Sequence, residues 1–320
     1  MLTFGTIRTG LLFNSGAISQ DALVDTLRLL PGEHVRTSER PIAYGVSSEV
    51  FTGIDCSLTG ASGAKTRGVG TVATRAVITG GRVVQGSTYA RLVESEVGYR
   101  RPWSHFLGIP GILEVINKIP WEDLAQGLMH RQRRPDINLG AICDRVLDQV
   151  QRSQRLDRSP PFKAARTTLR WILREDRNSN TNHLSFTVVN SELRLVELTL
   201  ADHALPAVLH LCEDLALHDW LLTTLLAMIE RSNMGSAEQS YILAKLRPAV
   251  DHLLHLWMPG VRVDSQLMPL WHSLDKHPGF TTQWEVSVSR IRDQLTLGTL
   301  ILLGAVAEGK AGVHEQGATR

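Results

Sequence analysis

The stretch "KTRGVGTVATRAVITGGRVVQGSTYARLVES", residues 65–95, decides how the N-terminal part of the chain folds. Small and β-branched residues fill both halves of it, and Gly80-Gly81 divides the halves. Two adjacent glycines can both adopt positive φ, which a two-residue hairpin turn requires. The predicted antiparallel pairs are Ile78 with Val83, Val72 with Tyr89, and Val69 with Leu92. Because both faces carry mostly small or semi-polar side chains, we expect this hairpin to belong to a larger sheet or to lie against a partner.

The segments before the hairpin also favour strands and turns. "LTFGTIRTG" (2–10) predicts a strand, and "SQDALVDTLRLLPG" (19–32) predicts a short helix that Ser19 caps. "TGASGAKTRG" (59–68) approaches the phosphate-binding template G-x-x-x-x-G-K-[ST], but Thr59 and Ala64 stand where the template has glycine, and a strand-like sequence follows. We interpret it as a glycine loop between strands. Residues 1–101 are thus predicted to form a glycine-rich antiparallel β region.

Residues 102–180 are predicted to form a basic helical segment. Between residues 128 and 177 there are twelve Lys and Arg residues against six Asp and Glu residues. In "FKAARTTLRWILREDR" (162–177) the basic residues are spaced by three or four positions, which would place them on one face of a helix. They are Lys163, Arg166, Arg170, Arg174 and Arg177. Such a stripe could bind an acidic protein surface or phosphates, or it could simply be the solvated face of a packed helix.

Residues 181–320 are predicted to contain a β-hairpin followed by a helical bundle. "LSFTVV" (184–189) and "LRLVELTL" (193–200) read as the hairpin strands. Helices are predicted over 205–231, 236–257, 264–277 and 283–306, and the last dozen residues are predicted to be a disordered tail. The apolar run "LTLGTLILLGAV" (295–306) is shorter than the about 20 residues of a membrane-spanning helix, so we expect a buried core helix. The predicted fold class is α+β.

The stretch "HLCEDLALHDWLLTTLLAMIER" (210–231) carries the densest set of chemically active side chains. His210, Asp214 and His218 follow one another at i, i+4 and i+8, so they form a row along the predicted helix. A carboxylate one turn from a histidine can orient a general base or a metal ligand, and it can equally satisfy a buried imidazole. A zinc site needs three or four ligands, and Cys212-Glu213-Asp214 does not match His-Glu-x-x-His. We therefore interpret the row as part of a packed interior, with a metal-dependent enzyme as the alternative.

Composition excludes some classes of function. The formal net charge is only +2 on 320 residues, so the chain as a whole has no strong electrostatic attraction to nucleic acid or to anionic membranes. The three cysteines lie far apart in sequence, which indicates reduced thiols and a cytoplasmic protein. No motif for a cofactor or a metal is complete, and we expect neither.

Several segments together resemble an uncharacterised actinobacterial, streptomycete-type protein family that is defined by its gene neighbourhood. They are "IRTGLLFNS" (7–15), "SERPIA" (38–43), "GIDCSLTGASGAKTRGVGT" (53–71), "RPWSH" (101–105) and "LCEDLALHDWLLTTLL" (211–226). The neighbouring genes of that family encode a variant P-loop protein and a methyltransferase-like protein. The resemblance implies a protein that acts with partners encoded nearby. It carries no known activity, cofactor or catalytic residue.

These observations favour a non-enzymatic interaction or assembly component of a multi-protein cytoplasmic system, without a membrane partner. The glycine-rich hairpin and the basic helix are its predicted contact surfaces. Two alternatives remain, namely a nucleic-acid-binding protein that uses the basic helix, and a metal-dependent enzyme built on His210, Asp214 and His218.

Overall fold

The computed structural model describes residues 2–130, 136–176, 182–201, 204–234, 238–276 and 279–317. It confirms the α+β class. The strands are β1 (Leu2–Leu11), β2 (Arg36–Ser38), β3 (Tyr44–Val46), β4 (Val50–Thr59), β5 (Lys65–Thr79), β6 (Val83–Glu94), β7 (Ile112–Val115), β8 (Thr167–Glu175), β9 (His183–Val188) and β10 (Leu193–Leu200). The helices are α1 (Gln20–Leu27), α2 (Trp103–Leu107), α3 (Trp121–His130), α4 (Leu139–Gln151), α5 (Leu205–Arg231), α6 (Gln239–His252), α7 (Met268–Lys276) and α8 (Phe280–Gly317), with a short 3₁₀ helix at Leu254–Leu256.

All ten strands belong to one mixed sheet with the order β2-β3-β5-β7-β6-β1-β8-β10-β9, and β4 pairs with β5. The β6–β7 and β8–β10 pairs are parallel, whereas the other neighbours are antiparallel. Residues 65–94 occupy the middle of this sheet and are almost entirely buried in it. The larger sheet expected for the hairpin is therefore present. The hairpin is not the exposed contact surface that the sequence suggested, because neighbouring strands and helices cover it.

The hairpin turn at Gly80-Gly81 is confirmed, and both glycines have positive φ. The predicted register is wrong by one residue, since Ile78 pairs with Val84 and Ala73 with Tyr89. The turn includes Arg82, whose N–H donates to the Thr79 carbonyl at 3.1 Å, so the loop has three residues rather than two. Farther from the turn β5 and β6 separate, and β7 pairs with both of them.

Most N-terminal predictions are confirmed. β1 and α1 lie where the sequence places them, and the Ser19 hydroxyl accepts a hydrogen bond from the Ala22 N–H at the start of α1. Thr59 and Lys65 are paired at the end of the β4–β5 hairpin, so residues 60–64 join two antiparallel strands. The glycine loop is thus a hairpin connection, as the sequence indicated.

The predicted basic helix over 162–177 is wrong, because Thr167–Glu175 form strand β8. β8 pairs with β1 on one side and with β10 on the other, so backbone bonding within the sheet overrides the helical spacing of the arginines. Ile112–Val115, also predicted as helical, form β7. Within the predicted helical segment 102–180, helices begin at Trp103 and Trp121.

The C-terminal part agrees with the sequence in its element types. β9 and β10 form the predicted antiparallel hairpin, and α5 has the predicted bounds. α6 continues through Pro248 without a break. α8 extends to Gly317 and so covers most of the predicted disordered tail, where alanine, glutamate and lysine favour helix. Within the described residues no helix is long and apolar enough to span a membrane.

The chain forms two compact units whose bounds differ from the three predicted segments. The first unit comprises residues 1–220 and 258–278, and the second comprises 221–257 and 279–320. In the first unit, one face of the sheet packs against α5 and α7, and the opposite face packs against α1, α3 and α4. The boundaries near 101 and 180 are not unit boundaries, because strands from all three predicted segments share one sheet.

Candidate functional site

Helix α5 lies against the centre of the sheet, and residues 211–220 are all buried. Ten consecutive residues cover every side of a helix, so this part of α5 is enclosed all round. A helix enclosed in this way must satisfy its polar side chains with partners from other elements. Besides the Cys212 thiol, the titratable side chains among these buried residues are Glu213, Asp214, His218 and Asp219.

Asp214 and His218 form a close local pair. The His218 Nδ1 atom lies 2.8 Å from the Asp214 carbonyl oxygen and 3.3 Å from its carboxylate. The Asp214 carboxylate also accepts a hydrogen bond from the Gly260 N–H at 2.8 Å, and the Trp271 ring meets the His218 ring edge-on. His218 is 1% exposed, so it is enclosed by these neighbours and does not face solvent.

Glu213 is the centre of a buried ionic cluster that the sequence did not reveal. Its two carboxylate oxygens accept hydrogen bonds from Arg75 Nε on β5 at 2.8 Å and from Arg262 Nη2 at 2.7 Å. Glu213 is 0% exposed, Arg75 is 1% and Arg262 is 9%. Burial alone raises the pKa of Glu213, but the two guanidinium groups outweigh it and lower the pKa to about 2. Arg75, Glu213 and Arg262 are named the Glu213 cluster below.

Further polar contacts extend the Glu213 cluster. Gln85 on β6 donates to the Glu213 carbonyl at 2.8 Å and to the Thr9 hydroxyl at 3.2 Å. The guanidinium of Arg262 stacks on the Tyr44 ring, 4.9 Å from its centroid. The cluster therefore ties α5 to β5, β6 and the segment before α7.

His210 contacts a different environment from His218. Among the described residues Asp214 pairs with His218 but makes no hydrogen bond or ion pair with His210. Burial lowers the pKa of His210 to about 4, and the charges of Arg75, Arg262 and Arg36 act in the same direction against the opposing charge of Glu213. The row His210, Asp214, His218 is thus divided between two sets of contacts and does not converge on one point.

We expect the His210 imidazole to make stability depend on pH. Its folded-state pKa of about 4 lies below its usual value of 6.5, so the unfolded state binds the proton more readily. The stabilisation is fully present above about pH 6.5 and is lost as pH falls toward 4. Because His210 is only partly buried, solvent screening reduces its contribution, and urea unfolding should show a loss of about 1 kcal/mol between pH 7 and pH 5 from this residue. In His210→Gln that part of the loss should be absent, and an unchanged pH dependence would contradict the assignment.

The described residues contain no group of three or more His, Cys, Asp or Glu side chains placed to hold a metal ion. Asp219 contacts Arg194 of β10 at 2.6 Å, and burial raises the pKa of Asp219 although Arg194 opposes that shift. Burial also raises the pKa of the Cys212 thiol well above its usual value. Glu213, Asp214 and Asp219 are thus each paired with another charged or imidazole side chain in the interior.

The residues that the sequence missed are Arg75 and Arg262. Arg75 stands in the apolar run "VATRAVIT" (72–79) of a strand that was expected to be buried. A charge in such a strand needs an opposite charge nearby, and that signal could have pointed to an acidic residue of α5. Nothing in the local sequence of Arg262 distinguishes it.

The basic stripe predicted for 163–177 takes a different form on strand β8. Arg166, Arg170 and Arg174 follow one another at four-residue intervals, so in an extended segment they share the sheet face that packs against α3 and α4. Arg174 pairs with Glu122 and Glu197, whereas Arg170 donates to the Met129 carbonyl at 3.1 Å. Lys163 precedes the strand, and Arg177 lies outside the described residues. Over Thr167–Glu175 the backbone is a strand, so the described part of this segment has no basic helix face.

Arg166 and Arg170 instead meet Arg8 of β1. Arg8 pairs with Asp144 of α4 at 2.8 Å, and Arg166 lies 3.7 Å from the same carboxylate. Burial lowers the pKa of Arg170, and the charge of Arg8 lowers it further. Arg8, Arg166, Arg170 and Asp144 are named the Arg8 cluster below.

No family model matches the chain, and neither the curated proteins nor the solved structures that were searched contain a match.

Proposed function

We propose that the chain is a binding component of a multi-protein cytoplasmic assembly, not an enzyme. The observation that carries this proposal is an exposed aromatic and apolar surface beside β4 and α2. Phe51, Trp103 and Leu107 form this surface, and 44%, 37% and 66% of their respective areas are exposed. They are named the Trp103 surface. Large exposed apolar side chains that lie together on a folded chain are typical of interfaces.

The Trp103 surface is held rigidly by its neighbours. The Trp103 ring lies over Gly53 of β4, where an added Cβ would come within 3.2 Å of it, and it meets the Phe106 ring edge-on at 5.8 Å. Phe51 lies two residues from Gly53 on the same side of the strand, and Leu107 lies one turn after Trp103. A preorganised aromatic anchor loses little conformational entropy when a partner binds.

Charged residues border the Trp103 surface. Arg100 stacks on the Trp103 ring, 5.1 Å from its centroid, and it also pairs with Asp55 at 2.9 Å. Arg67 pairs with the same carboxylate at 2.8 Å. An apolar centre with a charged, solvent-accessible rim is the usual arrangement of a protein–protein interface.

The second compact unit has an exposed apolar stretch of its own on α8. Leu297, Leu300, Ile301 and Leu303 are 47–62% exposed, although the sequence predicted a buried core helix there. On the buried side of α8, Gly298 packs against Leu243 and Gln239 of α6. Exposed leucines in a row add support for a protein that functions with other chains.

The first partners to examine are the products of the neighbouring genes that the family resemblance implies. We expect Leu107→Asp and Trp103→Ala to weaken binding of such a partner by about 30-fold or more, because central aromatic and apolar anchors carry most of the interface free energy. Titration of the purified partner, followed by calorimetry or by surface plasmon resonance, measures the change. Tyr241→Ala is the matched control, since Tyr241 is 44% exposed but belongs to the second unit. If neither gene product binds, or if all three variants bind like the natural chain, the proposal is wrong.

A further inference from the structure

On the sheet face that packs against α3 and α4, Arg8 and Arg166 lie at the Asp144 carboxylate, and Arg170 lies within electrostatic reach of Arg8. The side chains of Arg8, Arg166 and Asp144 are 31%, 30% and 32% exposed, so this group is accessible from solvent. Arg170 is more enclosed, and its register partner on β1 is Thr6. Asp144 is the one carboxylate within the cluster, and Asp136, which lines the cavity beside Arg170, makes no ion pair with these arginines among the described residues.

Arg170 differs from the other two arginines of the Arg8 cluster in its contacts. Among the described residues its side chain makes one hydrogen bond, to the Met129 carbonyl, and no ion pair. The Nε atoms of both Arg170 and Arg8 are buried and have no hydrogen-bond partner in the described part of the chain. Buried donors normally have partners, and a buried cation is costly without a counter-charge. The unpartnered Nε of Arg170, on a guanidinium without an ion pair, is therefore a donor that an anionic ligand could satisfy.

A small cavity adjoins Arg170. It has a volume of about 20 Å³, and Thr6, Thr59, Leu139 and Asp136 are among its lining residues. A space of that size admits about one water molecule or one ligand oxygen. Asp136 is the one acidic residue in the lining, and its carboxylate accepts a hydrogen bond from the Thr59 hydroxyl at 2.7 Å.

The first turn of α4 lies beside the same group. α4 begins at Leu139, and an added Cβ on Gly140 would come within 3.0 Å of Arg8 Nη2. N–H groups in the first turn of a helix favour a negative charge. The helix end thus adds to the attraction that the arginines already provide.

We propose that the Arg8 cluster binds a tetrahedral oxyanion, the phosphate group of a small ligand. One phosphate oxygen would enter the cavity beside Arg170, and the others would face the exposed guanidinium groups of Arg8 and Arg166. Arginine suits this task because its planar group presents several N–H donors to one phosphate. The site shares no residue with the Trp103 surface and does not depend on it.

The test uses the full chain and two probes, inorganic phosphate and pyrophosphate, titrated by calorimetry at constant ionic strength with chloride as the reference anion. We expect saturable binding that Arg170→Gln weakens about 10-fold or more. Asp144→Asn should strengthen it by about 3-fold or more, since it removes the competing negative charge. Arg174→Gln is the matched control, because Arg174 lies on the same strand face but is paired with Glu122 and Glu197.

The Asp144→Asn variant keeps the test decisive if Arg170→Gln fails to fold, because a purely structural role of Asp144 gives no reason for tighter phosphate binding. No saturable binding to the natural chain would overturn the proposal. Equal affinities of the Arg170→Gln and Arg174→Gln variants would also overturn it. A third contrary result would be Arg170-dependent binding of a DNA duplex without binding of phosphate or pyrophosphate, which would indicate a nucleic-acid surface.

Discussion

Glu213→Gln should lower the free energy of unfolding by about 3–5 kcal/mol, because it leaves two buried guanidinium groups without their shared counter-charge. Glu213 is fully buried, and each of its carboxylate oxygens accepts one arginine hydrogen bond. The substitution preserves the shape of the side chain, so the loss comes from charge and not from a cavity. Urea unfolding monitored by circular dichroism measures it.

The matched control is Glu230→Gln, at an exposed position of the same helix, where we expect a change within about 0.5 kcal/mol. A triple variant, Arg75→Met with Glu213→Leu and Arg262→Met, should recover most of the lost stability, since apolar residues can replace a buried ionic group without leaving an unpaired charge. If Glu213→Gln unfolds like the control, the carboxylate does not hold the cluster together.

The Glu213 carboxylate also contributes to acid stability. Its pKa of about 2 lies below the usual value of 4.5, so the folded state favours the charged form. The corresponding stabilisation is present above about pH 4.5 and is lost as pH falls toward 2. This pH range lies below the range in which His210 affects stability. The contributions of the two residues can therefore be told apart by the pH at which the unfolding free energy of each variant departs from that of the natural chain.

Gly70→Ala should destabilise the first unit by about 3 kcal/mol or more, through backbone strain and a direct clash. Gly70 has φ of +152°, and a Cβ there would lie 2.0 Å from the Ile112 carbonyl oxygen. The position is the point at which β7 enters between β5 and β6, so the backbones cannot separate without loss of sheet hydrogen bonds. Thermal unfolding measures the effect.

Gly16→Ala serves as the control for Gly70→Ala, because no heavy atom lies within 4 Å of an added Cβ at Gly16. We expect its melting temperature to match that of the natural chain within a few degrees. A Gly70→Ala protein as stable as the control would mean that β7 does not lie against Gly70 as described.

The elements with strong local signals are those that the sequence predicted correctly. α5 has a long apolar pattern and α1 has a Ser19 cap, and both occur where expected. The Gly80-Gly81 turn was also found, although its third residue, Arg82, shifts the strand pairing by one. The two glycines locate the turn. They do not fix how many residues the loop contains, and the number of loop residues sets the strand register.

The strand β8 shows why other elements were missed. Its arginines recur every four residues, which imitates a helix face, yet the same positions share one face of a strand because four is also a multiple of two. The deciding factor is the pair of neighbouring strands, β1 and β10, which come from distant parts of the chain. No window of local sequence contains that information.

The chemical groups of α5 were located from the sequence, but their partners were not. The i, i+4 relation of Asp214 and His218 is local and is present in the structure. Glu213 pairs with Arg75 and Arg262, and Asp219 pairs with Arg194, and all three arginines lie outside α5. Long-range ion pairs of this kind arise from the packing of α5 on the sheet and have no local signature.

The central claim is that the polar side chains of α5 stabilise the interior and do not form a reactive or metal-binding centre. A titration of the full chain with Zn²⁺, followed through the imidazole ¹⁵N resonances of His210 and His218, tests it most directly. We expect His218 to remain unperturbed at one equivalent of zinc, and His210 to stay neutral at pH 7 and to titrate near pH 4. Simultaneous shifts of both imidazoles at one equivalent, saturating at that ratio, would contradict the claim.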